Sequence, residues 1–229
     1  MLTQRKVALQ LTLFLVAFFA LWTLRATWGY AIDESIASPI PRAAYSSVVK
    51  LVLWVIPAVT FAYRFRNPDP AKYLGLSVWP TQRCWRLCLA VTGAFLLATA
   101  LMELGLGKKT FSITGLATLP LTLWFLQLGL SPWIEEVLFR GLVMKELLQL
   151  LPEYLATILT SLLFMGIHLP YWLAHGGATR VMAANAVGVF IFSLLASWLY
   201  ARSESIWPPT IAHIANNVLA SLLVVHPQG

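Results

Sequence analysis

The chain has 229 residues, of which 59% are hydrophobic and only 11% are charged, and its mean hydropathy is +0.75. A single soluble core could not bury so many apolar side chains, so the composition excludes a soluble globular protein and predicts a polytopic membrane protein. The net charge of +7 does not indicate a nucleic-acid partner, because the basic residues lie mostly in short segments between apolar runs. In such segments they favour the cytoplasmic side of a bilayer.

Apolar runs long enough to span a bilayer recur along the chain with short polar breaks. The first three predicted spans cover about residues 7–30, 44–63 and 84–106. The first is longer than the apolar region of a signal peptide, so we interpret it as a retained anchor helix. The connection 64–86 is the most basic and proline-rich part of the chain, and the positive-inside rule places it in the cytoplasm.

Residues 111–151 form an almost continuous apolar run that is too long for one span. Ser131 and Pro132 interrupt it. Serine is a common N-cap and proline a common first helical residue, so the sequence predicts that one helix ends near Leu130 and another begins at Pro132. The two glutamates discussed below would then lie in the first turns of the new helix.

Three further spans complete the prediction, at about residues 154–170, 181–200 and 208–225. The predicted fold is all-α, a polytopic transmembrane bundle of about eight helices. We expect a single integral membrane domain, residues 1–229, with both termini in the cytoplasm.

The segment from Glu135 to Arg140 carries two adjacent carboxylates and a guanidinium inside an apolar helix, where charge is costly and usually functional. On a helix Glu136 and Arg140 face one another, which predicts an ion pair. Glu135 is turned away by about 100° and is left with a carboxylate that could act as a general base. The alternative is an ion-paired cluster that only joins two helices.

Two more pairs of residues have a spacing of one helical turn. Phe164 and His168 share a face near the end of one span, and His213 and Asn217 can direct an imidazole and an amide at one point. A base, a histidine and an oxyanion-binding pair are the parts of a hydrolase. We expect no role at the site for the other polar candidates, which are Asn216, His175 in a loop and His226 in the tail.

These motifs resemble those of the CPBP intramembrane proteases, also called the Abi or CAAX-protease family, which includes the Ras-converting CAAX endopeptidases. The resemblance rests on Glu135-Glu136-x3-Arg140, Phe164-x3-His168 and His213-x3-Asn217, which occur in the family order. The run from Ser205 to Thr210 also looks like the family's approach to its last motif. The similarity covers roughly residues 131–217, which we interpret as the catalytic core.

The resemblance implies a glutamate-dependent endopeptidase. Glu135, assisted by His168, would activate a water that attacks a peptide carbonyl, and His213 with Asn217 would stabilise the oxyanion. Glu136 and Arg140 would support Glu135, although Glu136 could share the catalytic role.

The resemblance also implies a mechanism without a cofactor or metal ion. Two histidines and one glutamate could form a catalytic zinc shell. However, the H-E-x-x-H arrangement is absent, and zinc is the less favoured interpretation.

A transporter could use the same buried charges as an ion relay, and a non-catalytic membrane scaffold or immunity protein could retain them for structure. We favour the peptidase, acting on a membrane-anchored protein or peptide in the lipid bilayer. The short connections suggest the cytoplasmic membrane of a prokaryote. Prenylated tails, bacteriocins and sorting signals are all compatible with the sequence as substrates.

Overall fold

The computed structural model describes residues 4–106, 109–175 and 179–225. The helices are α1 (Gln4–Ser35), α2 (Pro39–Phe65), α3 (Pro70–Tyr73), α4 (Gln82–Gly105), α5 (Thr114–Ala117), α6 (residues 121–148), α7 (Glu153–Ala174), α8 (Thr179–Ser203) and α9 (Trp207–Leu222). Two short strands, β1 (Lys109–Phe111) and β2 (Leu223–Val225), pair antiparallel to form a ribbon. The predicted fold class, an all-α membrane helix bundle, is confirmed.

Within the described residues, five helices are long and apolar enough to cross a membrane: α1, α2, α4, α7 and α8. The charged residues of α6 lower its hydropathy, and α9 has only 16 residues. Large apolar side chains such as Leu13, Leu97 and Leu101 face outward on these helices, as expected for surfaces in contact with lipid. The chain is therefore an integral, multi-pass membrane protein.

The predicted helix boundary at Ser131 and Pro132 is wrong, because α6 continues through both residues. Leu130 and Ser131 have helical backbone angles, and the Ser131 N–H donates to the carbonyl of Leu126, five residues earlier. This wider π-helical turn, residues 124–130, accommodates a proline that has no N–H to donate. A second π-helical stretch, residues 137–144, follows directly after the two glutamates.

The continuous α6 also changes the topology, since one crossing replaces two. Near the start of α1, Gln10 accepts a hydrogen bond from Arg66, which follows α2. The last described strand, β2, pairs instead with β1 at the other end of the bundle. The first and last described segments therefore lie at opposite ends of the bundle, whereas we expected both termini on the same side; the termini themselves lie outside the described residues.

We call these two ends the basic end and the ribbon end. The basic end consists of residues 64–82, 145–153 and 201–207. The ribbon end consists of residues 28–38, 103–106, 109–117 and 171–175 together with β2. The helices run alternately between them, so each residue of the site can be placed relative to the two membrane faces.

The hydrophobic core surrounds the second half of α6. Residues 137–144 are all buried, and Phe139 packs edge-to-face against Phe18, Trp54 and Phe164. These aromatic rings come from α1, α2 and α7. They fix α6, and with it the glutamates, at the centre of the bundle.

Candidate active site

The predicted ion pair between Glu136 and Arg140 is present at the centre of α6. Arg140 Nη1 donates to Glu136 Oε1 at 3.0 Å, and both side chains are fully buried. Arg140 Nη2 also donates to the hydroxyl of Ser193 at 2.6 Å and to its backbone carbonyl at 3.1 Å, while the guanidinium lies 4.7 Å from the centre of the Phe164 ring. These contacts neutralise a buried cation, whose Nε has no hydrogen-bond partner among the described residues, and hold the Glu136 carboxylate in one position.

His213 connects Glu136 to Glu135. Its Nδ1 lies 2.7 Å from Glu136 Oε1, and because an ionised carboxylate can only accept, we assign Nδ1 as the donor. Its Nε2 lies 3.8 Å from Glu135 Oε2. The Nε2 of His213 therefore points towards the Glu135 carboxylate. It can accept a proton in the neutral ring or donate one in the imidazolium.

The Glu135 carboxylate is not left unpaired, as the sequence suggested, because Lys50 of α2 lies against it. Lys50 Nζ donates to Glu135 Oε1 at 2.7 Å and to Ser131 Oγ at 2.7 Å. Ser131 Oγ also donates to the same carboxylate oxygen at 3.3 Å. One oxygen of Glu135 is thus fixed by a cation and a hydroxyl, and Oε2 faces His213.

His168 lies at the turn that divides α7, with its ring stacked on Trp172. Its Nδ1 lies 3.1 Å from the carbonyl oxygen of Phe164, which can only accept, so Nδ1 carries the proton. The Nε2 of the neutral ring is then available as an acceptor. This tautomer suits a residue that receives a hydrogen bond from water.

The four predicted catalytic residues, Glu135, His168, His213 and Asn217, line one cavity of about 430 Å³. Asn216, which we expected to face elsewhere, lines the same cavity. His175 is exposed and stacks on Tyr171, and His226 lies outside the described residues. The three predicted motifs therefore meet at one space, although the contributions of individual residues stay predictions.

A second, smaller cavity of about 190 Å³ also reaches Glu135 and His168. Its other lining residues are largely polar or aromatic and include Arg25, Asp33 and Lys50. Arg25 and Asp33 form an ion pair on its wall. Glu135 and His168 thus contact two cavities.

The absence of a metal ion at Glu135 stays a prediction. Within residues 4–106, 109–175 and 179–225, no group of three or more His, Cys, Asp or Glu side chains is arranged to hold a metal ion. Lys50 donates to Glu135 Oε1, and the Nδ1 nitrogens of His168 and His213 donate hydrogen bonds, which leaves Glu135 Oε2 and the two Nε2 nitrogens without these partners. A cation placed here would compete with the ammonium group already bound to the carboxylate.

Three contacts at the site were missed by the sequence analysis. Lys50 was counted as part of an ordinary span, Ser131 was interpreted as an N-cap, and Ser193 was not considered. The role of Lys50 could have been suspected from the sequence, because a lysine within an apolar span needs a partner in the bundle. The role of Ser193 could not have been suspected in this way, since serines are common in membrane helices.

Comparison with known proteins shows what this part of the chain is similar to. Residues 117–219 match the family model described as "Type II CAAX prenyl endopeptidase Rce1-like". The match includes all three motifs and encloses the segment 131–217. The family resemblance indicated by the motifs is therefore confirmed over this part of the chain.

A curated relative shows the same similarity. The chain is 26% identical over 97 residues to "Putative membrane peptidase YdiL" of Bacillus subtilis (strain 168). The aligned region is 42% of this chain and 35% of that protein, so it spans about a third of the relative's length. Lys50 lies outside the matched residues 117–219 of the family model.

Proposed function

We propose that this protein is an intramembrane endopeptidase that hydrolyses a peptide bond in a membrane-anchored protein or peptide. The observation that carries the proposal is that a carboxylate, two imidazoles and an amide, from Glu135, His168, His213 and Asn217, line one cavity. The matches to a CAAX endopeptidase family and to a named membrane peptidase support the same reaction class. The cytoplasmic membrane of a prokaryote is the proposed location.

In the proposed first step, Glu135 acts as a general base towards a water molecule. The water oxygen attacks the carbonyl carbon of the scissile bond, while its proton passes to Glu135 Oε2. His168 supports this step by accepting a hydrogen bond at Nε2. Lys50 and Ser131 keep Oε1 in place, so that only the second oxygen is available to react.

Attack turns the carbonyl into a tetrahedral oxyanion, which needs nearby donors. His213 supplies one when Nε2 is protonated, because Nδ1 is already committed to Glu136. The Asn217 amide supplies a second. The Glu136–His213 contact thus resembles the carboxylate–imidazole pair that orients the histidine in other hydrolases.

Collapse of the intermediate breaks the C–N bond. The proton taken up by Glu135 moves to the leaving nitrogen, which departs as an amine, and the other product is a carboxylic acid. Glu135 and one water account for every proton that is transferred, so the proposed mechanism does not require a metal ion. The ammonium group on Glu135 Oε1 supports this choice.

The proposal can be tested by analysing protein termini. Membranes from cells that express the wild type are compared with membranes from cells that express Glu135→Gln or Glu153→Gln. Glu153 is a suitable control because it is an exposed glutamate paired with Arg202 at the basic end. We expect new termini with the wild type and Glu153→Gln and their loss with Glu135→Gln. Identical termini in all three samples would contradict the proposal.

A further inference from the structure

A cavity of about 350 Å³ lies at the basic end, apart from the proposed active site. Its volume is within the range of about 300–1,000 Å³ that is usual for small-molecule sites. Lys145, on its wall, lies on the same helix as Glu135 but roughly 15 Å further along it. The wall is formed by the basic connection (residues 64–86) and the ends of α6 and α8, through Tyr73, Lys145, Leu148, Gln149, Tyr200, Ala201 and Glu204.

The Tyr200 hydroxyl is the first sign of a ligand in this cavity. Tyr200 is only 2% exposed, and within the described residues its hydroxyl makes no hydrogen bond. The hydroxyl is not completely enclosed by protein, and because Tyr200 lines the cavity, the open side of the hydroxyl faces it. A buried tyrosine hydroxyl normally has a hydrogen-bond partner. This one is therefore available to a molecule in the cavity.

Two opposite charges line the same cavity at separate positions. Lys145 Nζ donates to the Tyr73 carbonyl at 2.7 Å, and an ammonium group has two further protons to donate. Glu204 is exposed at the rim. In the described part of the chain, neither Lys145 nor Glu204 forms an ion pair. The cavity thus offers a cation, an anion and a hydroxyl that can all bind a ligand.

The backbone at Glu204 indicates that its side chain has a function. Glu204 directly follows α8 and has a φ of 52°, in the left-handed region. Its N–H donates to the Tyr200 carbonyl at 2.7 Å, which closes the end of the helix. Glycine adopts this conformation without cost, whereas glutamate is strained in it. A carboxylate at a position that favours glycine is not explained by helix capping, but it is explained by binding in the cavity.

The cavity lies at the level of the lipid headgroups. The helices α6 and α8 both end beside it. Exposed aromatic side chains lie at the same end of the bundle, at Trp79 and Tyr154, and such rings mark the boundary between the hydrocarbon core and water. A lipid headgroup can therefore reach the cavity while its acyl chains stay in the bilayer.

We propose that this cavity binds a phosphoethanolamine group, as carried by an aminophospholipid of the surrounding bilayer. The phosphate accepts hydrogen bonds from Lys145 Nζ and the Tyr200 hydroxyl, and the primary ammonium donates to the Glu204 carboxylate. A purely anionic headgroup leaves Glu204 without a partner. A choline headgroup has no N–H to donate, and Lys145 Nζ already covers the Tyr73 ring that could hold it, at 4.7 Å from the ring centre.

The proposal can be tested by native mass spectrometry of the purified full chain in detergent. The protein is incubated with equal amounts of phosphatidylethanolamine, phosphatidylcholine and phosphatidylglycerol with matched acyl chains, and separately with free phosphoethanolamine. Tyr200→Phe removes only the hydroxyl. Glu204→Gly removes the carboxylate and relieves the backbone strain, so a loss of binding cannot be attributed to a loss of folding. Glu153→Gln is the matched control, because Glu153 is an exposed glutamate at the same end that does not line the cavity.

We expect the wild type and Glu153→Gln to prefer phosphatidylethanolamine by roughly tenfold, the effect of one charge-assisted hydrogen bond. Glu204→Gly should lose this preference, with an unfolding temperature no lower than that of the wild type. Tyr200→Phe should bind phosphatidylethanolamine roughly tenfold more weakly. Binding of free phosphoethanolamine that is lost in the same two variants would also support the site and would identify a soluble compound as its source.

Two results would overturn the proposal. One is equal retention of the three lipids by the wild type with no binding of free phosphoethanolamine. The other is wild-type binding by both Glu204→Gly and Tyr200→Phe. The measurement does not involve catalysis, and the cavity contains none of the proposed catalytic residues. The outcome is therefore independent of the proposed peptidase function.

Discussion

The Lys50–Glu135 contact allows a quantitative prediction, because it joins two partly buried charges at 2.7 Å. The Glu135 side chain is only 10% exposed and the Lys50 side chain 19%. Replacing Lys50 with Met keeps the length and apolar character of the side chain but leaves a buried carboxylate without its cation. Removing one partner of a buried pair costs about 3–5 kcal/mol in a dry site. Because these side chains are partly exposed, we expect a stability loss of about 2–3 kcal/mol.

The same change should reduce kcat. A hydrogen bond to a charged group contributes about 1.5–3 kcal/mol, so losing the group that orients Glu135 Oε1 should lower kcat by roughly 10–100-fold. KM should change little, since Lys50 is not a wall of the larger cavity. Lys50→Arg retains the charge and should restore most of the lost rate. The assay is cleavage of a purified membrane-anchored substrate in proteoliposomes, alongside unfolding curves.

Lys72→Met is the matched control, because Lys72 is an exposed lysine of the basic connection. It should behave as the wild type in both measurements. If Lys50→Met also matched the wild type, the contact would contribute neither to folding nor to catalysis. If Lys50→Arg failed to restore activity in a stable protein, positive charge would not be the property that matters.

Three other predictions test separate parts of the structure. Gly141→Ala should destabilise the protein by about 1–3 kcal/mol through a clash with Leu74, whereas Gly93→Ala, which has open space around it, should be neutral or slightly stabilising in unfolding curves. His213→Gln should lower kcat by roughly 100–1,000-fold with little change in expression, because it removes an oxyanion donor; near-wild-type turnover would contradict that role. Incubation of purified protein with a strong chelator should leave cleavage unchanged, and a loss of activity that zinc restores would require a metal-dependent mechanism.

The contacts that were predicted correctly are those within one helix. The Glu136–Arg140 pair follows from a spacing of four residues, which helix geometry converts directly into a contact. The composition likewise predicted the membrane bundle, since no other fold class suits so apolar a chain. Local sequence carries this information because the interacting groups are neighbours on the same turn.

The errors came from tertiary structure. Lys50 and Glu135 are 85 residues apart, so no local spacing indicates their contact. At Ser131 the local signals favour a new helix, but packing in the bundle and a π-helical turn keep α6 continuous. The hydroxyl that was interpreted as a helix cap binds Lys50 and Glu135 instead.

The convergence of the three motifs at one cavity could be predicted only in part from the local sequence. Their spacings placed His168 and His213 on defined helix faces, but the distance between the helices depends on the whole bundle. The family resemblance supplied the information that the helices meet, because it implied that the motifs act together. The second nitrogen of His213, 3.8 Å from Glu135, shows how close that meeting is.

The central claim is that the Glu135 carboxylate activates the water that cleaves the peptide bond. The most direct measurement is kcat for cleavage of an identified membrane-anchored substrate by purified Glu135→Gln in proteoliposomes, compared with the wild type and with Glu153→Gln. Loss of a general base typically costs roughly 100–10,000-fold, so we predict a fall of that size in a folded Glu135→Gln protein, with full activity in Glu153→Gln. Cleavage by folded Glu135→Gln at the wild-type rate would contradict the account.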